Sequence, residues 1–476
     1  MVFQQTIQER NDLELHKKSV VKISMITKMG DRQQRRGNDL LRENASSEAR
    51  LTRLFFSGAE RTKKSALLTE TKQLFKAKTL GELVISAYDA KLQMEKDGLF
   101  EHVDVVIDVD KNNAAVSADN GYEVTFIGKE PSLRKGRINY DVSNRGESNL
   151  TFAGQELNAF GRGEIATAEI SRGSMSTTSA SLGFIKPLLK WRDARLGVSL
   201  SHSSSQYPWS GFGNTENALG VDLTHEPIKN FLTHQIKYMA AWRKVEILNE
   251  DAPFSVRQYA GHNLKSSIQS SLSYDSRDDP VLASKGVLLR LTNEFAGLGG
   301  NAHFFRQEFY ANLSTKLPFD IILSSGFRST FVRPLGLQQS PEKPLLSVVD
   351  RTFLGGSTDL RGFDLSGVGP VDDDCFLGGM ASWCGALHLY KRLRPQFLFG
   401  HVFASAGNIH PVSNDLDVRP VVQELLQEPR ASLGLGLAIK VSRLVRLEFN
   451  YCRPVFYRET DKTRHGFQFG IGLIFV

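Results

Sequence analysis

Four short clusters hold side chains whose types and spacing could do chemistry. Asp275 and Asp278 stand three residues apart in the run Tyr274-Asp275-Ser276-Arg277-Asp278-Asp279-Pro280. Two carboxylates that close could divide general acid and general base work. The Asp-Pro step inside the run, and Lys285-Gly286 after it, favour a charged hairpin turn. Asn158-Ala159-Phe160-Gly161-Arg162-Gly163-Glu164 and the glycines of 434–438 have the look of phosphate-cradling loops, but neither opens a helix, which such a loop requires. Cys375, Cys384 and Cys452 are the only cysteines and show no Cys/His spacing suited to a metal. Cys375 and Cys384 could pair if a loop joined them; free thiols are the simpler expectation. Leu360-Arg361-Gly362-Phe363 is the fourth cluster, and it asks for positioning more than for reaction. Arg361 has a planar fork of donors that needs an inward carboxylate or carbonyls. Gly362 permits a positive φ or a close backbone approach, and Phe363 can wedge against a wall. No nucleophile elbow, HExxH helix or Walker loop occurs, so no enzyme activity, metal or cofactor is expected.

The elements that must hold these residues are mostly strands. From about Glu147 to Val476 alternation follows alternation and helix signals nearly vanish. Leu433, Leu435, Leu437 and Ile439 alternate with Ser432, Gly434, Gly436 and Ala438; Leu447, Phe449 and Tyr451 alternate with Arg446, Glu448 and Asn450. One face is apolar and the other small, polar or charged. A sandwich or a barrel with a wet lumen would both give this period. Length separates them: about 330 residues of strands exceed a sandwich of roughly 100. At ~20 residues per strand and connection they make about 16 strands, which fits a membrane barrel. No run of about 18 apolar residues marks a transmembrane helix. Mean hydropathy is −0.26, which barrel alternation averages out, and the 40 Gly and 30 Phe suit small lumen residues and an aromatic lipid-facing surface. Long connections at Asn249 to Asn263, Gly336 to Val349, Leu365 to Ser382 and Asn408 to Arg430 alternate with short turns, as when one rim is tight and the other elaborate.

Residues 1–48 are polar, charged and aperiodic, a disordered or loosely helical arm. From 49 to 130 a strand (Arg50 to Phe56), two helical stretches (Thr62 to Lys76 and Thr79 to Lys96, closed by Gly98) and two strands (His102 to Asp108, Tyr122 to Ile127) make a small α+β domain. Residues 131–146 read as a linker and 147–476 as the barrel. The net charge of +7 reads as a mildly basic surface, with attraction to an anionic membrane as the alternative. Basic residues are not interleaved with aromatics on one face, so nucleic acid is not an expected partner. The first fifty residues lack an apolar signal core and mix Glu9, Asp12 and Glu14 with bases. If Met1 is the true start, a barrel without a secretory signal points to the mitochondrial outer membrane; Met25 and Met29 are alternative starts.

Together these motifs resemble the POTRA-containing superfamily of outer-membrane barrel-assembly and translocation proteins. Within it the likeness is to core subunits of the mitochondrial sorting and assembly machinery, over roughly 49–476. Leu360-Arg361-Gly362-Phe363 is similar to the superfamily's signature in the sixth external loop, which folds back into the lumen. The Asp275, Arg277 and Asp278 run resembles its strand-end sequence, and Asn158 to Glu164 its first barrel turn. Gln468, Gly470, Leu473 and Phe475 resemble the terminal signal carried by the family's client barrels. The small domain has the POTRA order of elements.

The resemblance implies a mainly β fold, a transmembrane antiparallel barrel of about 16 strands behind one POTRA-like domain in the intermembrane space. It implies an insertase that folds β-barrel precursors into the mitochondrial outer membrane through a seam between first and last strands. Those would be Glu147 to Gln155, with Asn149, Thr151 and Ala153, and Gly466 to Val476. Client precursors, metaxin-like accessory subunits, the cristae-organising complex and membrane lipids are the implied partners. A passive outer-membrane channel, a translocating barrel of bacteria or plastids, and a soluble all-β binding module are the rival readings.

Overall fold

A computed structural model describes residues 44–110, 120–142, 148–173, 176–189, 191, 193–228, 231–249, 252–335, 346–395, 397–413, 418–441 and 446–472. Of the N-terminal arm, only 44–48 fall inside that range. The chain divides into two units: Met1–Lys135 with Gln155–Ala166 and Ile185–Arg192, and Gly136–Gly154 with Thr167–Phe184 and Asp193–Val476.

The first unit runs β1 (Arg50–Ser57), α1 (Lys64–Glu70), a 3-10 turn (Leu74–Lys76), α2 (Leu80–Lys96), β2 (His102–Val109) and β3 (Gly121–Lys129). Its sheet has the order β1-β3-β2, with β1 parallel to β3 and β2 antiparallel. Thr79 caps α2 by accepting from the Glu82 amide at 3.3 Å, and Glu82 returns a bond from the Lys78 amide at 2.9 Å. Leu83, Ala87, Ala90 and Met94 recur at helical spacing and bury against Val103, Val105, Val124 and Phe126. The helix expected over Thr62 to Lys76 is shorter. Thr62 gives its amide and hydroxyl to Glu130 at 2.8 and 2.7 Å, which holds it outside the helix. At the other end the Thr71 hydroxyl bonds back to the Leu67 carbonyl at 2.9 Å, competing with continued helix.

The second unit is built on a 16-stranded antiparallel sheet. Its strands are β4 (Arg134–Val142), β5 (Ser148–Leu157), β6 (Ile165–Gly173), β7 (Thr178–Pro187), β8 (Ala194–Tyr207), β9 (Phe212–Ile228), β10 (Leu232–Ile247) and β11 (Gly261–Asp275). They continue as β12 (Gly286–Gly300), β13 (Phe304–Leu317), β14 (Ile321–Pro334), β17 (Ala381–Arg392), β18 (Leu398–His410), β19 (Arg430–Lys440), β20 (Arg446–Phe456) and β21 (Gly466–Gly472). β15 (Val371–Asp372) and β16 (Cys375–Phe376) form a separate small hairpin. Two short helices, α3 (Phe254–Arg257) and α4 (Val418–Leu426), lie in long connections.

Which face is exposed tells a membrane barrel from a sandwich. On β19, Leu433, Leu435 and Leu437 are 54, 60 and 44 % exposed, while Ser432 and Ala438 are fully covered. On β20, Phe449 and Tyr451 are exposed while Glu448, Asn450 and Cys452 are buried. A soluble sandwich would bury the leucines; here they face outward and the polar side is enclosed. The sheet also curls. Tyr310 of β13 and Arg446 of β20 line one small cavity, yet these strands are five steps apart in the sheet. That would be roughly 24 Å on a flat sheet at about 4.8 Å per strand.

One boundary needs correction. Residues 131–146, expected as a linker, contain β4, which is the end strand of the sheet. Its sequence, RKGRINYDV, is crowded with charges and has a glycine inside. That composition hides a strand whose outward side chain, Ile138, is 69 % exposed. Asn149, Thr151 and Ala153, expected on the first barrel strand, therefore lie on the second, β5. Likewise the expected connections Gly336 to Val349 and Leu365 to Ser382 are two parts of one long loop between β14 and β17.

Candidate functional site: a loop bonded to the inner wall

The loop between β14 and β17 carries the Leu-Arg-Gly-Phe cluster. Leu360, Arg361 and Phe363 have no exposed surface. Arg361 donates from Nη2 and Nε to Glu448 Oε2 at 3.0 and 3.3 Å, and its guanidinium lies 5.2 Å from the Phe403 ring centroid. Arg446 holds the other oxygen of Glu448, Oε1, at 3.0 Å, and the Asn450 side-chain amide donates to Oε2 at 3.0 Å. The backbone oxygen of Arg361 accepts from the Ser432 hydroxyl. Gly362 sits at φ +84, and a Cβ there would lie 3.0 Å from Ser432 Cβ and 3.3 Å from Pro454 Cγ. Glycine answers both demands, a left-handed backbone and a close approach. Phe363 belongs to a buried cluster with Leu288, Tyr310, Leu354, Leu360, Cys384 and Ile409.

Further bonds fix the loop on opposite stretches of wall. Asp350 accepts from Arg243 of β10 at 2.8 Å, and its backbone oxygen accepts from Arg306 of β13 at 2.6 Å. Arg328 of β14 donates to Asp359 at 2.6 Å. Across the lumen, the Arg464 amide donates to the Gly362 carbonyl at 2.8 Å and the Asp364 amide to the Lys462 carbonyl at 2.9 Å. Asp461, between β20 and β21, accepts from the Gly369 amide of the loop at 3.3 Å and is itself gripped by Arg430 with two bonds at 2.9 and 3.1 Å.

The last-strand residue Gln468 joins this network. Its Oε1 accepts from the Gly362 amide at 3.0 Å, and its Nε2 donates to the Phe363 carbonyl at 3.1 Å. Two motifs far apart in sequence thus meet side chain to backbone. Gly470 is buried on the same strand; Leu473 and Phe475 lie outside the described residues.

The strand-end carboxylates do other work. Arg277 grips Asp275 with two bonds at 3.0 Å. Asp278 accepts from the amides of Ser284 at 2.8 Å and Lys285 at 3.2 Å, and from the Ser284 hydroxyl. Burial raises the Asp278 carboxyl, but those donors outweigh it and hold the group below the usual carboxylate range. Asp279 ties the same turn to β19 through Lys440. These are acceptors saturated by a turn, not a poised acid and base.

The Asn158 to Glu164 turn belongs to the first unit. Asn158 Nδ2 donates to Thr62 Oγ1 at 2.9 Å, and its Oδ1 accepts from the Gly163 amide at 2.8 Å. Gly163 is at φ +79, with the Asp97 carbonyl 2.3 Å from where a Cβ would stand. Its glycines thus serve close backbone packing. Cys375, Cys384 and Cys452 are free thiols.

Sequence reasoning put Arg361 in need of a carboxylate but did not name Glu448. The signal was present, a charge in mid-strand between Leu447 and Phe449. Asp350, Asp359 and Asp461 were missed because each sits in a long connection, Asp350 in a single 3-10 turn, where no period marks an inward side chain.

Comparison with known proteins agrees with this architecture. The Omp85 superfamily domain matches residues 158–475. Sorting and assembly machinery component 50 homolog B of Xenopus laevis is 34 % identical over 433 residues, covering 89 % of this chain and 90 % of that protein. The human homolog is 34 % identical over 430 residues, covering 88 % and 89 %. SAM50-like protein CG7639 of Drosophila melanogaster is 31 % identical over 443 residues, covering 90 % and 95 %. Among solved structures, BamA from Haemophilus ducreyi lacking POTRA domains 1-3 superposes with a TM-score of 0.72 at 16 % identity, covering 89 % of this chain and 84 % of that one. A barrel wall with a loop folded inward, an Omp85 match over most of the chain, and near full-length identity of about one third place the chain in the Omp85 superfamily and, within it, in the Sorting and assembly machinery component 50 family.

Proposed function

We propose that this chain is the core insertase that folds β-barrel precursors into the mitochondrial outer membrane, and that clients enter at a seam between β4 and β21. In lipid, every unpaired backbone group on a strand edge costs several kcal/mol, so a half-built barrel is unstable there. A client strand that pairs with the edge of β4 as β21 leaves exchanges hydrogen bonds and loses none, so no nucleotide is needed. The sheet begins at β4 and ends at β21, and among the described residues no ladder joins the two. Gly466, Gly470 and Gly472 give β21 little side-chain packing. The observation that carries the reading is the bond pair from Gln468 to the tip of the lumen loop, because it links the state of the last strand to the loop.

The POTRA-like domain in this reading faces the intermembrane space and receives incoming segments on a free edge of its sheet, β1 or β2. Metaxin-like subunits and the cristae-organising complex belong to the same reading as partners. A passive channel is the weaker alternative, because a lumen crossed by a bonded loop leaves little room to conduct.

Two experiments test the proposal. Depletion followed by import of radiolabelled porin should leave the porin unassembled; normal assembly would overturn the insertase reading. Cysteines placed along Arg134 to Ile138 and Gly466 to Gly470, once crosslinked, should block client assembly with the barrel intact. Unchanged assembly would remove the seam.

A further inference from the structure

We propose that the groove between α1 and the turn joining β7 to β8 is a binding site for an anionic phospholipid, with the phosphate on Arg162 and Lys186. The groove lies within the first unit and has a volume of about 500 Å³, within the size range of small-molecule sites. Ala66, Leu188, Leu189 and Trp191 supply apolar lining, and among the described residues Arg162 and Lys186 are its charged members. An apolar trough whose described lining carries two cations and no acid fits an amphipathic anion.

The strand that supplies Lys186 selects a lipid. Along β7 one face carries Leu182, Phe184 and Lys186, and Leu182 is 60 % exposed. Lys186 is thus the last residue of an outward apolar row, where a lysine stem lies along apolar surface and its ammonium reaches the headgroup level. Trp191, 53 % exposed in the turn that follows, is a residue type that settles at a membrane interface. The Arg162 amide donates to Glu164 at 2.9 Å, which fixes the turn that carries this cation to the groove. The site is independent of the insertase reading: it needs only a barrel in a bilayer.

The test uses the full chain in nanodiscs, with Trp191 fluorescence as reporter and a Trp191→Phe variant as the blank. Phosphatidylglycerol brominated on its acyl chains should quench Trp191 at a much lower mole fraction than brominated phosphatidylcholine. Arg162→Gln with Lys186→Gln should remove that preference, by roughly 25-fold at about fivefold per cation. Added salt should weaken it in the wild type. Equal quenching of the Trp191 signal by the two headgroups, wild type minus the Trp191→Phe blank, would overturn the proposal without recourse to the double variant. Displacement of the quenching by an acidic peptide, but not by unbrominated phosphatidylglycerol, would overturn it in favour of a peptide site.

Discussion

Gln468 on the last strand and Gly362 at the tip of the lumen loop are hydrogen-bonded, with the Gly362 amide donating to Gln468 Oε1 at 3.0 Å. The same side chain donates to the next carbonyl, Phe363 O, at 3.1 Å. One glutamine therefore satisfies a buried donor and a buried acceptor on a segment more than a hundred residues away in sequence. Cys452 also points its thiol at Gln468 Oε1, at 3.5 Å. The last strand and the loop are in this sense a single bonded unit, and disturbing either disturbs the other.

Gln468→Ala strands both backbone groups. An unsatisfied buried group costs about 1–3 kcal/mol, so the loop tip should loosen while the outer wall persists. Hydrogen exchange at residues 360–364 should speed up markedly in the variant. Gln468→Glu keeps the acceptor but loses the donor and should fall between. Wild-type exchange in both would show that the loop does not depend on the last strand.

The pair Arg361–Glu448 is fully enclosed. Removing one partner of such a pair costs about 3–5 kcal/mol, whereas replacing both by apolar groups is often neutral. Because Arg446 still holds Glu448 Oε1, Arg361→Ala should sit at the low end, about 3 kcal/mol. Arg361→Met with Glu448→Met should recover part of that loss in urea midpoint, yet not client assembly. A double variant less stable than the sum of the singles would contradict the pairing.

Gly362→Ala places a methyl in a left-handed backbone and within 3.0 Å of Ser432 Cβ. The backbone alone costs about 1–2 kcal/mol for an L-residue, before any contact. The expected result is a folded barrel whose loop is cut faster by protease. Ser432→Gly should relieve part of the effect, since it removes the atom the methyl meets; no relief would mean that backbone strain alone decides.

Much of this was legible from residue types, and the gaps have physical causes. Alternation in β19 and β20 is written openly because lipid demands large apolar side chains on one face. Arg361, Gly362 and Phe363 were readable as a positioned cluster because each has a strong stereochemical need. β4 was not readable: Arg134, Lys135, Arg137 and Asp141 crowd out the apolar period, and pairing with β5 is what keeps the segment extended. The loop's anchors at Asp350, Asp359 and Asp461 depend on tertiary contacts across the lumen, which no local pattern encodes.

Glu130 makes the first unit sensitive to acid. Its carboxylate accepts from the amides of Arg61 and Thr62, from the Thr62 hydroxyl and from Arg61 Nε, at 2.7 to 3.2 Å. Thr62 in turn accepts from Asn158, so the carboxylate anchors a relay into the 158–164 turn. Burial raises the Glu130 carboxyl, but these hydrogen bonds outweigh it and lower it below its ordinary value. A carboxyl lowered on folding stabilises fully above its unfolded pKa of about 4.3 and loses that contribution as pH falls through the folded value. Glu130→Gln should therefore cost about 1.5–3 kcal/mol near neutrality, with the gap to wild type closing on acidification. Trp191 is the only tryptophan of the first unit, so its fluorescence, in a chain whose other tryptophans are phenylalanine, reports the urea midpoint. A gap that stays constant from neutral to acid pH would mean that Glu130 acts by shape and not by charge.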